Sequence, residues 1–175
     1  DAGVAEHGIS LKIAPYIYEF LLAKSGGEYV NNGNGRDARA DEANLDSETS
    51  LAVFSWWKGM VDDGLALNTG ADPNNIDHLL AIATGGAAMT IEASSAIGPI
   101  EAVLSSGDFG DLELVAAPLP SLTGEGGVPV GDGALWLPEA SSPAERAAAW
   151  RYAQFLLAPE QQAGLAVAGG YVPVR

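Results

Sequence analysis

The chain has 175 residues, 47% hydrophobic and 18% charged, a balance that excludes a disordered segment in a chain long enough to bury about 70% of its unfolded surface. Its 23 acidic residues against 8 basic ones leave a formal charge of -15, which repels phosphate backbones and anionic headgroups and argues against nucleic-acid and membrane-surface partners. With no cysteine, disulfides, thiolate nucleophiles and Cys-ligated metals are excluded.

Ile9 to Lys24 reads as an amphipathic helix: Ile13, Ile17, Phe20, Leu21 and Lys24 recur at helical spacing, Pro15 suits a first turn and Gly26-Gly27 supplies the stop. The polar run Asn31-Asn32-Gly33-Asn34-Gly35, with Arg36 to Arg39 after it, holds positive-φ candidates and reads as a hairpin or loop. Asp46 or Ser47 caps a second helix that carries Leu51, Phe54, Trp57 and Val61 to Gly64. A shorter helix from about Asn75 to Thr84 closes at Gly85-Gly86, and Ala87 to Ile91 suits a buried strand.

A further helix is expected to begin at Ser94-Ser95 and to continue through Ala102, Val103 and Leu104. Leu112 to Ala117 and Ala134 to Leu137 read as strands on either side of a Gly/Pro-rich loop, Ser121 to Pro129. Ser141-Ser142-Pro143 opens a strong helix through Trp150 and Phe155 that meets Pro159, and a second piece runs from Glu160 to Ala168 before Gly169-Gly170. The alternation of helices and short strands, without a repeat or an internal boundary, favours one α/β or α+β unit over residues 1–175. No apolar run approaches a membrane span, and Asp1 to Ser10 lack the regions of a signal peptide, so an exported form is expected to have lost its signal.

An ordered set of segments over about residues 46–175 resembles the family 1 extracellular solute-binding proteins of bacterial ABC importers, the sugar and glycerol-3-phosphate-binding group. The segments are Leu51 to Gly64, Gly85-Gly86-Ala87-Ala88-Met89-Thr90 running into Ser94-Ser95, Val115 to Pro120 and Gly131-Asp132-Gly133-Ala134-Leu135-Trp136. Ala148 to Gln162 and Gly170-Tyr171-Val172-Pro173-Val174-Arg175 complete the set, and these last two are the most distinctive. The resemblance implies one lobe, mostly the second, of a type II periplasmic-binding-protein fold, with helices packed on a short mixed sheet and closure onto ligand by a hinge. It implies an extracytoplasmic, lipid-anchored protein that delivers its solute to the importer's transmembrane subunits, without a cofactor. One lobe alone is expected to bind sugars very weakly or not at all, and the apolar surface it leaves open makes self-association possible.

The resemblance maps ligand-binding groups onto Ser94 and Ser95, the turn Gly131, Asp132 and Gly133, and Tyr171. At a helix start the serines would offer hydroxyls and free N–H groups, although either is equally suited to simple capping. Asp132 would accept from sugar hydroxyls and disfavour a phosphorylated ligand, with an ordinary Asx turn as its rival. Tyr171 combines a flat apolar face with a hydroxyl, as carbohydrate sites require, and core packing is its alternative. Trp56, Trp57, Trp136 and Trp150 could stack on sugars but are expected in the core; Tyr16 and Tyr18 are placed near the cleft without a role.

No catalytic constellation is legible. His7 and His78 have no acid at motif spacing, and neither a Gly-x-Ser-x-Gly elbow nor a phosphate loop is present. Asp72, Asn74 and Asp77 imitate a calcium loop but lack its glycine, and helix capping explains them. The expected function is non-catalytic capture of a small polyhydroxylated solute; glycerol 3-phosphate or a pure interaction module is the alternative.

Overall fold

Ile9, Ser10 and Leu11 lie in a strand, β1 (His7–Leu11), and not in the helix expected from Ile9 onward. Pro15 accounts for the difference. Inside a helix its ring would remove a hydrogen bond and clash with the preceding turn, whereas at the first position it fits, so α1 spans only Pro15–Lys24. In this computed structural model, residues 5–72, 74–106, 112–124, 126–131 and 134–173 are described.

β1 is the centre of a three-stranded sheet of order β2-β1-β3, with β2 at Ala66–Asn68 and β3 at Ala87–Thr90. Both pairings are parallel, Ile9 facing Ala66 and Leu11 facing Asn68 on one side, His7 facing Ala87 and Ser10 facing Thr90 on the other. The α/β class is as expected, but the sheet read as mixed is parallel throughout its described pairs. Parallel neighbours require crossovers. Here α1, a turn α2 (Asn31–Gly35) and α3 (Glu48–Asp62) join β1 to β2, and α4 (Asp77–Ala83) joins β2 to β3.

The polar run expected as a hairpin has one antiparallel bridge, Val30 to Ala43, and its tip is α2. Asn32, Gly33 and Asn34 all take left-handed dihedrals there, which few residues other than Gly and Asn tolerate. Asn34 holds the turn, its Oδ1 accepting the Tyr29 and Val30 N–H groups at 2.7 and 3.1 Å.

Leu11, Ile17, Leu21, Leu22 and Val53, all buried, form the core between α1, α3 and β1. Tyr18 stacks on Phe54 with ring centroids 4.8 Å apart, and its hydroxyl lies 2.7 Å from Ser50 Oγ. Trp57 belongs to this core as expected, whereas Trp136 (84% exposed) and Trp150 (52%) do not. Helical or strand spacing shows which residues share a face, not whether a second layer covers it. Likewise 112–117 and 134–137 carry no sheet pairing: their composition favours an extended chain, but a strand also needs a neighbour's hydrogen bonds.

By their contacts the residues gather into two compact units, Asp1–Glu92 with Leu104–Val130, and Ala93–Val103 with Gly131–Arg175. The first holds the sheet. The second holds a 3-10 turn at Ser94–Ala96, most of α5 (Ile97–Leu104), α6 (Pro143–Leu156) and α7 (Pro159–Gly169).

Ser142 caps α6 in a capping box: its Oγ accepts the Glu145 N–H, and the Glu145 carboxylate accepts the Ser142 N–H at 2.8 Å. Hydrogen bonding from the Ser142 side chain, then from its backbone, holds the Glu145 carboxyl below the usual carboxylate range. A depressed folded pKa stabilises above the unfolded value, about 4.3 for Glu, and the contribution disappears as pH falls through the folded one. The first α6 amides are therefore expected to be protected from hydrogen exchange above about pH 5 and to lose that protection in acid. Glu145→Gln should remove the pH dependence; an unchanged profile would count against the box.

Candidate functional site

Because the sheet is parallel, its strands release the chain at one edge: Lys12 follows β1, Thr69 follows β2, and Ile91-Glu92 follow β3. The order β2-β1-β3 reverses direction between β1 and β3. In open α/β sheets ligands sit outside the carboxyl ends of the strands at such a switch point. Lys12 and Glu92 follow the two strands that flank it.

Glu92 is the hub of a polar cluster there. Its Oε2 accepts the Tyr16 hydroxyl at 2.9 Å and lies 2.8 Å from His78 Nε2. A carboxylate only accepts, so Nε2 carries the proton in this pair. His78 is almost fully buried, and its Nδ1 has no hydrogen-bond partner among the described residues. Burial, then the Glu92 hydrogen bond and charge, push the Tyr16 hydroxyl well above its ordinary pKa, so it stays a donor. Lys12 Nζ donates to the Asn75 carbonyl at 2.8 Å and stands 5.8 Å from the Tyr16 ring centroid. Ser10 Oγ donates to the His78 carbonyl at 2.7 Å and ties α4 to the sheet.

Sequence reasoning looked for an acid near His78 in the chain and found none; the partner lies 14 residues on, beyond β3. Tyr16 was placed near the cleft without a role, and Lys12 and Glu92 were missed. The available signal was a polar residue immediately after a buried strand.

In the second unit, Ser94 and Ser95 open the 3-10 turn as expected, but neither caps it by its side chain; the residue before the turn is Ala93. Both serines are half-buried. Gly170, at the end of α7, is left-handed with φ 67, and a Cβ there would come within 2.8 Å of the Ser94 carbonyl oxygen and 3.6 Å of the Gly98 nitrogen. Only a glycine allows so close an approach. Tyr171 follows directly, 41% exposed, its ring so near the helix end that a Cβ on Gly169 would lie 2.7 Å from Cδ2. The serine segment and the tyrosine segment are thus brought together. Gly131 is exposed, with open space around it, and Asp132 and Gly133 lie outside the described residues.

The two segments carry two hydroxyl side chains and one aromatic ring that is apolar with a polar tip. Among the described residues no group of three His, Asp or Glu side chains is placed to hold a metal ion. Asp72 and Asn75 each accept a backbone N–H two residues on, from Asn74 at 2.9 Å and Asp77 at 2.5 Å. These are Asx turns, not the helix capping expected, since Ile76 precedes α4.

The chain matches a family model described as bacterial extracellular solute-binding protein over residues 6–175. No curated protein and no solved structure matches it.

Proposed function

The chain belongs to the bacterial extracellular solute-binding proteins, extracytoplasmic binding components of ABC transporters, and from that premise we propose that its solute is small and polyhydroxylated, a sugar or oligosaccharide. Capture is non-catalytic. Ser94 and Ser95 exchange hydrogen bonds with hydroxyls, Tyr171 covers an apolar ring face, and the turn Gly131, Asp132 and Gly133 contributes backbone groups and a carboxylate.

What supports this reading is the close packing of Gly170, the residue before Tyr171, against the Ser94 carbonyl, which brings the serine-bearing and tyrosine-bearing segments together. Sugars present both hydroxyls and C–H faces, and this mixture suits both. The membrane subunits of an importer receive the loaded protein.

Titration calorimetry on the chain and on two variants tests the site. Ser94→Ala and Tyr171→Ala are each expected to weaken binding of the best sugar about tenfold, roughly 1.4 kcal/mol, without lowering the unfolding midpoint in step. Unchanged affinity in both would remove the site from the cleft. A second reading, an interaction module, is favoured by the exposed Trp150, Tyr152 and Phe155 on α6. Tight association with another protein and no response to any solute would establish it instead.

A further inference from the structure

We propose that the first unit carries a binding site of its own, a groove along the later turns of α1 that takes a small dipolar solute: an ammonium and a carboxylate on an apolar body, as in a short apolar peptide. The inference is independent of the polyol reading above. Every residue lining the groove belongs to the unit that holds the sheet, and none to the serine and tyrosine segments.

The groove measures about 670 Å³, within the roughly 300–1,000 Å³ of small-molecule sites. Beside α1, two segments wall it, and both are held by specific contacts. Arg36 follows the left-handed turn α2, and its Nη1 donates to the Gly33 carbonyl at 3.0 Å, which orients the guanidinium. The chain at 126–129 is pinned to the end of α1: a Cβ on Gly126, at φ 89, would stand 2.3 Å from the Ala23 carbonyl oxygen and 2.6 Å from that of Lys24. Only a glycine allows this approach. Just before it, Thr123 Oγ1 donates to the Ser25 carbonyl at 3.2 Å.

Charge assigns the ligand. Glu19 and Arg36 are both exposed and both line the groove, yet among the described residues neither enters an ion pair. Opposite charges that line one groove without meeting suit a ligand that carries both signs. Its ammonium belongs at Glu19, where the partial negative charge of the α1 C-terminus adds to the attraction. Its carboxylate belongs at Arg36, whose planar fork has donors left for a two-point contact. Leu22, Val128, Pro129 and Tyr29 supply the apolar wall, and Tyr29 is braced edge-on by Tyr18 with ring centroids 6.0 Å apart.

Leucyl-leucine tests the site against two blocked forms, the N-acetylated peptide, which lacks the ammonium, and the C-amidated peptide, which lacks the carboxylate. Each is titrated into the chain by calorimetry. The free peptide is expected to bind at least about tenfold more tightly than either blocked form. Glu19→Gln should bring the free and acetylated peptides to within about twofold of each other, and Arg36→Gln should do the same for the free and amidated peptides. Both positions are exposed, so the unfolding midpoint should stay within about 0.5 kcal/mol of the wild-type stability. Gly126→Ala, which forces the 126–129 chain off α1 and leaves both charges in place, should weaken the free peptide about tenfold. Equal binding of free and blocked peptides, binding by none of them up to about 10 mM, or a preference that survives both charge substitutions would overturn the site. So would a leucyl-leucine signal that Tyr171→Ala abolishes and the Glu19 and Arg36 variants keep, because the peptide would then bind at the serine and tyrosine segments. The polyol reading is decided separately, by the Ser94 and Tyr171 variants with sugars.

Discussion

Ile17→Ala is expected to lower the free energy of unfolding by about 2–5 kcal/mol, a large share of the roughly 5–15 kcal/mol that holds a domain folded. Ile17 is 1% exposed on α1 and sits in the cluster with Leu11, Leu21, Leu22, Val53 and Trp57. Truncation removes three carbons from that cluster and leaves a cavity, because α1 is fixed on both sides: Pro15 sets its start, and Tyr18 stacks on Phe54 of α3. Urea unfolding followed by circular dichroism reads the effect as a lower midpoint at unchanged slope. A loss below about 1 kcal/mol would show that α1 does not pack on the sheet as described.

Gly170→Ala is the second large effect, and it links stability to the site. The substitution places a side chain at φ 67 and drives a Cβ to 2.8 Å from the Ser94 carbonyl oxygen, a backbone atom that cannot move aside on its own. A left-handed alanine and that contact together are expected to cost about 1–3 kcal/mol, relieved by unwinding the end of α7. Unwinding displaces Tyr171, the residue proposed to cover the sugar ring, so the variant should lose sugar binding along with exchange protection at the α7 C-terminus. Hydrogen exchange and calorimetry on the same preparation read both. A variant that binds as the wild type does would show that the approach of Gly170 to Ser94 does not build the site.

The helices were largely legible because each carries a local signal. Ser47 and Ser142 cap where they were expected to, Pro143 and Pro159 open α6 and α7, and Gly64, Gly85 and Gly170 end helices or turns with positive φ. The strands were less so. Ile9 and Leu11 share the spacing of Ile13 and Ile17 and can be read as either period, and a strand as short as β2 has no pattern at all. Runs 112–117 and 134–137 show the opposite error, an extended-chain composition without a ladder.

The site divides in the same way. Ser94, Ser95 and Tyr171 stood out through a family resemblance, and the glycine that brings their segments together was legible only as a helix stop. The Tyr16–Glu92–His78 cluster was beyond local reading, because Tyr16 and Glu92 are 76 residues apart and meet only once β1 and β3 pair. His78 had no acid at motif spacing; the fold supplies one.

The most direct measurement is a thermal-shift screen of this chain against sugars, polyols, glycerol phosphates and amino acids at up to about 100 mM. A solute a hundredfold above its Kd adds about 2.7 kcal/mol of stability, so even millimolar binding is visible. A shift with one class of neutral sugar or polyol, reduced in Tyr171→Ala, is the predicted result. A shift with amino acids and with no sugar or polyol, or a sugar shift that Tyr171→Ala leaves unchanged, would contradict it.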